Sequence, residues 1–337
     1  MITGRRIAAA LTAVIATALG GPAPAAAADR VIFGTNWVAQ PEHGGFYQAL
    51  ADGTYARYGL DVTILPGGPQ VNNRMLLSAG RVDFYMGGNL IQAFSALEQD
   101  IPTLVVAAMF QKEPQVMLAH PGQGFERFED LRGATLFLSR QTIASTFQWM
   151  KSEWGFRDEQ VKPYAFSVAP FLADRRSAQQ GYVTSEPLAI EKNGGFKPKV
   201  FLLADYGFDT YSTTIETRRE IVDAKPDLVR RFVEASILGW YNYLHGDNAK
   251  ANAAIKAANP DITDELIAFS VRTMKEYGIV ESGDALDKGI GAMTHERVAS
   301  FYARMVKAGV IRPGLDIGRA YTFQFVNKGV GRELRRP

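Results

Sequence analysis

Gly34-Thr35-Asn36-Trp37-Val38-Ala39-Gln40-Pro41-Glu42-His43-Gly44-Gly45-Phe46-Tyr47 is the stretch that sets the architecture of this 337-residue chain. The β-branched, apolar run Val31-Ile32-Phe33 leads into it and predicts a strand over 31–35. Gly44 and Gly45 open a helix expected to run to 58 and to stop at Gly59. Polar and aromatic residues crowd the turn between the two. In open α/β sheets, ligands are held where a strand's carboxyl end faces a helix N-terminus.

The alternation continues along the chain. A period-two strand over 60–65 ends in Pro66-Gly67-Gly68, and a helix follows over 71–79. A strand over 82–86 ends in Gly87-Gly88-Asn89, a helix runs to 98, and 103–109 is a fully apolar strand. This order predicts a parallel sheet with right-handed crossovers. The pattern restarts at Val116, with strands expected over 116–119, 134–138, 161–166, 182–184 and 200–203. The clearest helices among them are 142–154 and 169–179.

Beyond Tyr211 the chain reads as mostly helical, with helices over 226–244, 263–277 and 294–308. The first of these has Pro226 in its first turn and places Leu228, Phe232, Trp240 and Leu244 on one face. The whole predicts an α/β clamshell of two lobes with C-terminal helices. Lobe I is residues 29–112 plus 208–337 and lobe II is 113–207, with crossings near 111–115 and 204–211. Such a layout permits hinge closure around a ligand.

Composition narrows the function. Arg5-Arg6, a short apolar core over 7–19 and Ala26-Ala27-Ala28 predict a secretory signal over 1–28. The general export route is expected, although paired arginines also occur in twin-arginine signals. The chain has no cysteine, which excludes disulfides, thiolate catalysis, cysteine-bound metal and a lipid-anchored cysteine. A freely diffusing, monomeric periplasmic protein is expected. The net charge is +2 and no basic run carries interleaved aromatics, so nucleic acid is not an expected partner. There is no Gly-x-Ser-x-Gly elbow, no His-Glu-x-x-His and no phosphate loop. The four histidines, His43, His120, His245 and His295, lack metal-ligand spacing. Neither catalysis nor a metal nor a cofactor is expected.

The candidate binding residues cluster at strand ends. Asn36 offers a donor and an acceptor, and Trp37 an indole face. His43 lies at the helix mouth with Tyr47 one turn inside; Gly88 and Asn89 end the third strand, and Gln111 stands at the first crossing. In the second lobe, Tyr182 and Glu186 end a strand ahead of Pro187. Glu186 either caps that helix or accepts hydrogen bonds from a protonated aminopyrimidine edge, a bond of about 1.5–3 kcal/mol. Ser139, Arg140, Gln141 and Thr142 form a further strand-to-helix junction, read either as an ordinary N-cap or as an anion site.

Thr35-Asn36-Trp37 through His43-Gly44-Gly45-Phe46-Tyr47 resembles the thiamine-pyrimidine-precursor group of type II periplasmic solute-binding proteins. Tyr58-Gly59-Leu60-Asp61-Val62, Gly67-Gly68-Pro69, Gly80-Arg81-Val82-Asp83-Phe84 and Gly181-Tyr182 with Glu186-Pro187 extend the match. The resemblance implies ligand held between two lobes and an ABC permease as partner. It also implies a pyrimidine heterocycle flanked by aromatics, with Asn36 and Trp37 lining the pocket, His43 and Tyr47 nearby, and Glu186 on the amine edge. The wider class includes sulfonate, taurine and nitrate carriers, and other relatives carry flavins such as riboflavin. Eukaryotic relatives are pyrimidine-synthesis enzymes that need a cysteine-rich motif with iron, which this cysteine-free chain lacks.

Overall fold

The computed structural model describes residues 1, 27–68, 71–164 and 167–336. Nearly all of the expected signal over 1–28, together with Pro69 and the end of the strand expected over 161–166, lies outside the described residues. The described chain forms two five-stranded sheets. It begins with β1 (Asp29–Gly34), β2 (Leu60–Leu65), β3 (Phe84–Asn89) and β4 (Thr103–Phe110). It then crosses to β5 (Gln115–Ala119), β6 (Thr135–Leu138), β7 (Val161–Pro163), β8 (Ser177–Tyr182) and β9 (Lys199–Leu202). It returns as β10 (Ser212–Arg218). The sheets run β2-β1-β3-β10-β4 and β7-β6-β8-β5-β9.

The first sheet is mixed, which corrects the all-parallel expectation. β1 lies parallel to β2 and β3, whereas β10 pairs antiparallel with both β3 and β4. Its sequence, Ser-Thr-Thr-Ile-Glu-Thr-Arg, lacks an apolar signature. Several of its buried polar groups find partners. Thr217 Oγ1 donates to the Asp83 carbonyl at 2.7 Å, and Glu216 pairs with Arg74 at 2.8 Å. The same pairing draws Gly87 and Asn89 into β3 opposite Thr214 and Ser212, so these residues belong to the strand rather than to a turn beyond it.

Other differences have local causes. The helix expected over 45–58 is two, Gly44–Ala51 and Thr54–Arg57. Asp52 Oδ1 takes the Thr54 N–H at 2.9 Å, and Gly53 adopts φ +76°, a left-handed conformation that glycine reaches without strain. The helix expected over 142–154 is likewise two, Arg140–Ala144 and Thr146–Trp154. The helix expected over 169–179 ends at Ala173. Asp174 Oδ1 accepts the Arg176 N–H at 3.0 Å there, and the polar segment that follows is β8, with residues 183 and 184 in the turn after it.

The long helix Pro226–His245 carries the first sheet's core. Leu228, Phe232, Trp240 and Leu244 are buried, as the periodicity predicts. The Phe232 ring stacks on Phe84 at 4.1 Å and on Tyr55 at 5.4 Å, and meets the edge of Phe33 at 5.3 Å. A Cβ on Gly44 would lie 2.1 Å from the Tyr243 ring, and one on Gly45 would lie 2.2 Å from Trp240. The glycine pair therefore exists to let this helix approach. Among the described residues no helix is long and apolar enough to cross a membrane.

Phe232→Ala is expected to lower the unfolding free energy by about 3–5 kcal/mol, because three ring contacts vanish and the cavity cannot fully collapse. Urea denaturation checks this; a midpoint equal to that of the unsubstituted protein would show that the stack contributes little.

Candidate functional site

A cavity of about 440 Å³ opens between the two sheets. From the first sheet come the turn after β1 (Asn36, Trp37, Gln40, Glu42, His43) and the end of β3 (Gly88, Asn89) with Gln92. From the second come the end of β8 and its following turn (Gln180, Gly181, Tyr182, Ser185, Glu186), Tyr164, and the helix start at Ser139, Gln141 and Thr142. The turn after β1 is pinned through its backbone. The Trp37 carbonyl accepts Thr35 Oγ1 at 2.8 Å and the Gly67 N–H at 3.0 Å, and Asn73 Nδ2 donates to the Thr35 carbonyl at 2.9 Å. Thr213 of β10 also lines the cavity with φ +46°, a strained conformation for a β-branched residue and one that clusters at ligand sites.

Eight of the sequence candidates border this space: Asn36, Trp37, His43, Gly88, Asn89, Gln141, Tyr182 and Glu186. Two do not. Tyr47 is 5% exposed and packs inward with the core of the first sheet, because its position on the helix faces that core rather than the mouth. Gln111 is buried at the crossing, where Nε2 donates to the Ala292 carbonyl at 2.9 Å and Arg297 hydrogen-bonds its backbone carbonyl, tying this crossing to the C-terminal segment. Arg140 is exposed and outside the lining as well. Ser139 Oγ accepts the Thr142 N–H at 3.2 Å, which is the ordinary N-cap.

Three carboxyl groups face the cavity, and two of them, Glu42 and Glu113, are not among the candidates the sequence offers. Glu186 Oε2 accepts the Tyr182 N–H at 2.8 Å and the Ser185 hydroxyl, while Oε1 takes the Tyr164 hydroxyl at 3.4 Å. Glu42 accepts the hydroxyl of Thr184, which follows β8, so this bond joins the two sheets' ends. Burial pushes the Glu42 carboxyl up to about 7; the Thr184 bond works against that shift and the Glu186 charge with it. Glu113 is likewise pushed up to about 7 by burial, against hydrogen bonds from Asn89 Nδ2 at 3.1 Å, Ser212 and Tyr182. The sequence signal for Glu42 is its place in the turn between Asn36 and Gly44; for Glu113 it is the crossing it occupies. Burial drives His43 down to about 3, so its ring is neutral at neutral pH, and Nδ1 has no partner among the described residues.

Among the described residues no lysine or arginine lines the cavity. Among the described residues no group of three or more His, Asp or Glu side chains is placed to hold a metal ion. The arrangement offers hydrogen-bond acceptors, amide groups (Asn36, Gln40, Asn89, Gln92, Gln115, Gln141, Gln180) and aromatic faces. It suits a guest that donates hydrogen bonds or carries positive charge, and it disfavours an anion.

The raised carboxyls and the depressed imidazole have opposite linkage signs. Between pH 4.5 and 7 the folded state holds more protons on Glu42 and Glu113 than the unfolded chain does, so their contribution to stability is present below 4.5 and lost as pH rises through 7. His43 contributes above 6.5 and loses that contribution as pH falls toward 3. Glu42→Gln, which keeps an acceptor for Thr184, is expected to be more stable than the unsubstituted protein at pH 8, by on the order of 3 kcal/mol at most. The gap should close near pH 4.5. Urea melts across this range read it, and a pH-independent difference would show that Glu42 is ionised throughout.

Known proteins resemble this chain in sequence and in shape. A family model described as NMT1/THI5 like matches residues 40–249. The riboflavin-binding protein RibY of Chloroflexus aurantiacus is 23% identical over 94% of this chain and 92% of its own length. The 4-amino-5-hydroxymethyl-2-methylpyrimidine phosphate synthase of Schizosaccharomyces pombe is 26% identical over 31% of this chain and 30% of its own. The periplasmic aliphatic sulphonate binding protein SsuA of Escherichia coli superposes with a TM-score of 0.65 at 14% identity, covering 87% of this chain and 91% of that one. A Candida albicans protein whose structure was described as exhibiting the generic periplasmic binding protein fold superposes at 0.59 and 13% identity, over 87% and 96%. The two-lobe α/β clamshell expected from the sequence is thus the fold of this protein, and the chain belongs to the NMT1/THI5-like family.

Proposed function

We propose that this protein is the substrate-binding component of an ABC importer, working in the periplasm and closing on a flat nitrogen heterocycle of the thiamine-precursor pyrimidine type. One observation carries the reading: Glu42, Glu113 and Glu186 face a cavity between two sheets that, among the described residues, no lysine or arginine lines. Aromatic faces at Trp37, Tyr164 and Tyr182 border the same space. A protonated aminopyrimidine presents a ring N–H and an exocyclic amine side by side. Glu186 Oε1, which takes the Tyr164 hydroxyl at 3.4 Å, keeps acceptor capacity for that edge. A charge-assisted bond there contributes about 1.5–3 kcal/mol, and ring stacking adds roughly 0.5–1.5 kcal/mol.

The moving bodies in this reading are residues 29–112 plus 208–337 against 113–207, with the Glu42–Thr184 bond among the contacts that closure makes. A membrane permease would receive the closed form. A riboflavin carrier is the second reading, supported by the likeness to RibY along nearly the whole chain and by amides able to pair with an imide. A sulfonate, taurine or nitrate carrier fits less well, since Arg140 is outside the lining and the facing carboxyls would repel such a guest. A pyrimidine-synthesis enzyme is disfavoured by the missing cysteines.

Calorimetric titration of the purified protein separates these readings. Formylaminopyrimidine or hydroxymethylpyrimidine should bind, an alkanesulfonate should not, and Glu186→Gln should weaken the pyrimidine about tenfold or more. Tight sulfonate binding with no pyrimidine heat would end the pyrimidine reading. Riboflavin binding alone, with a yellow protein on purification, would replace it with the flavin one.

A further inference from the structure

The floor of the cavity, at Gly88, holds an arrangement that the carboxyl groups do not account for. Gln92 Oε1 accepts the Gly88 N–H at 3.0 Å and a guanidinium N–H of Arg74 at 3.2 Å. Arg74 is itself fixed: Nη2 donates to the Gln92 carbonyl at 2.8 Å and lies 2.8 Å from the buried Glu216 carboxylate. With its oxygen held by two donors, the Gln92 amide has one orientation, and its Nε2 is left as a donor on the other side. Asn36, on the pinned turn after β1, brings a second amide nitrogen to the same place. A Cβ built on Gly88 would lie 3.6 Å from Asn36 Nδ2 and 3.6 Å from Gln92 Nε2. Among the described residues neither nitrogen has a hydrogen-bond partner, and all three residues line the cavity.

We infer that this is an acceptor pocket, in which a carbonyl oxygen of the ligand docks over Gly88 and takes N–H donors from Asn36 and Gln92. The inference rests on the heterocycle reading of the same cavity and specifies a second recognition element, a formyl, lactam or imide oxygen. A neutral carbonyl satisfies both amides. A carboxylate or sulfonate would do so only by bringing negative charge among Glu42, Glu113 and Glu186. Buried polar groups left unpaired by a ligand lacking the oxygen are what give such a site its selectivity. Gln92 is then a specificity-determining residue, and Arg74 a positioning residue that fixes which way its amide faces.

The contacts around Gly88 supply a clean test. At 3.6 Å a methyl group makes ordinary van der Waals contact, and Gly88 is not among the positive-φ glycines. Gly88→Ala should therefore fold normally while occupying the pocket. Gln92→Glu keeps an oxygen for Gly88 and Arg74 and replaces the Nε2 donor with a second oxygen. Titration calorimetry of the intact protein and both variants would use two probes: formylaminopyrimidine, and the same pyrimidine with the formyl group removed to leave a free amine. Both variants should bind the formyl compound about tenfold or more weakly, while the amine changes less than about twofold with Gly88→Ala and is not weakened by Gln92→Glu, whose added carboxylate favours a cation. Unchanged melting temperatures would show that the fold is intact.

Equal weakening of both probes, or unchanged binding of the formyl compound, overturns the acceptor pocket. If Glu186→Gln leaves every affinity unchanged while Gly88→Ala still acts on the formyl compound alone, the carboxylate reading falls and the pocket stands. Binding of neither probe overturns both.

Discussion

Glu216 is wholly buried in β10, in the middle of a sheet, and its charge is matched by Arg74. Burial pushes its carboxyl up and the guanidinium pulls it back. Removing one member of such a pair costs about 3–5 kcal/mol, because the other is left charged in a low-dielectric interior. The pair does more than join two side chains. Arg74 belongs to the helix Asn73–Ser78, Gln92 to the helix Leu90–Glu98, and Gly87 lies so close to Glu216 that a Cβ there would sit 2.2 Å from Oε1. Two helices and two strands are therefore locked in one register, and the cavity floor inherits its shape from that lock.

The walls follow from a second constraint, the shortage of positive charge. Three carboxyl groups share one cleft with no lysine or arginine among the described lining residues. Hydroxyls and amides hold them instead: Thr184 on Glu42, Ser185 and Tyr164 on Glu186, Asn89 on Glu113. Such bonds fix orientation, and with Glu42 and Glu113 pushed up to about 7 by burial the charge of the cleft changes near neutral pH. In the proposed reading, binding and lobe closure are favoured by the same interaction. The guest supplies donors to groups that closing brings out of water.

Much of the architecture was legible because it is written in short-range chemistry. The strand before Asn36, the helix opening at Gly44, the caps at glycines and the apolar face of Pro226–His245 all follow from periodicity and turn residues. The strands β8 and β10 were not. Gln179, Thr214 and Glu216 are polar yet buried, and their place in a sheet depends on neighbours far away in the chain. The Thr142 helix broke at Ser145 for a reason the apolar pattern does not carry, a local backbone conformation at φ −129° and ψ −89°. Gly44 and Gly45 were visible as a helix mouth, but their function, clearance for Tyr243 and Trp240, was not.

By itself the sequence determined the α/β alternation, the two-part layout, the absence of cysteine chemistry and the turn at Asn36-Trp37 that borders the cavity. Those properties depend on residues within a turn or two of one another, so local rules suffice. Only the tertiary structure decided that Tyr47 and Gln111 serve packing, that Glu42 and Glu113 join Glu186, and that Arg74 orients Gln92 over Gly88. Thr184 meets Glu42 across 142 positions and Glu216 meets Arg74 across the same distance. Charge and hydrogen-bond partners that far apart are chosen by how the elements pack, which no local pattern encodes.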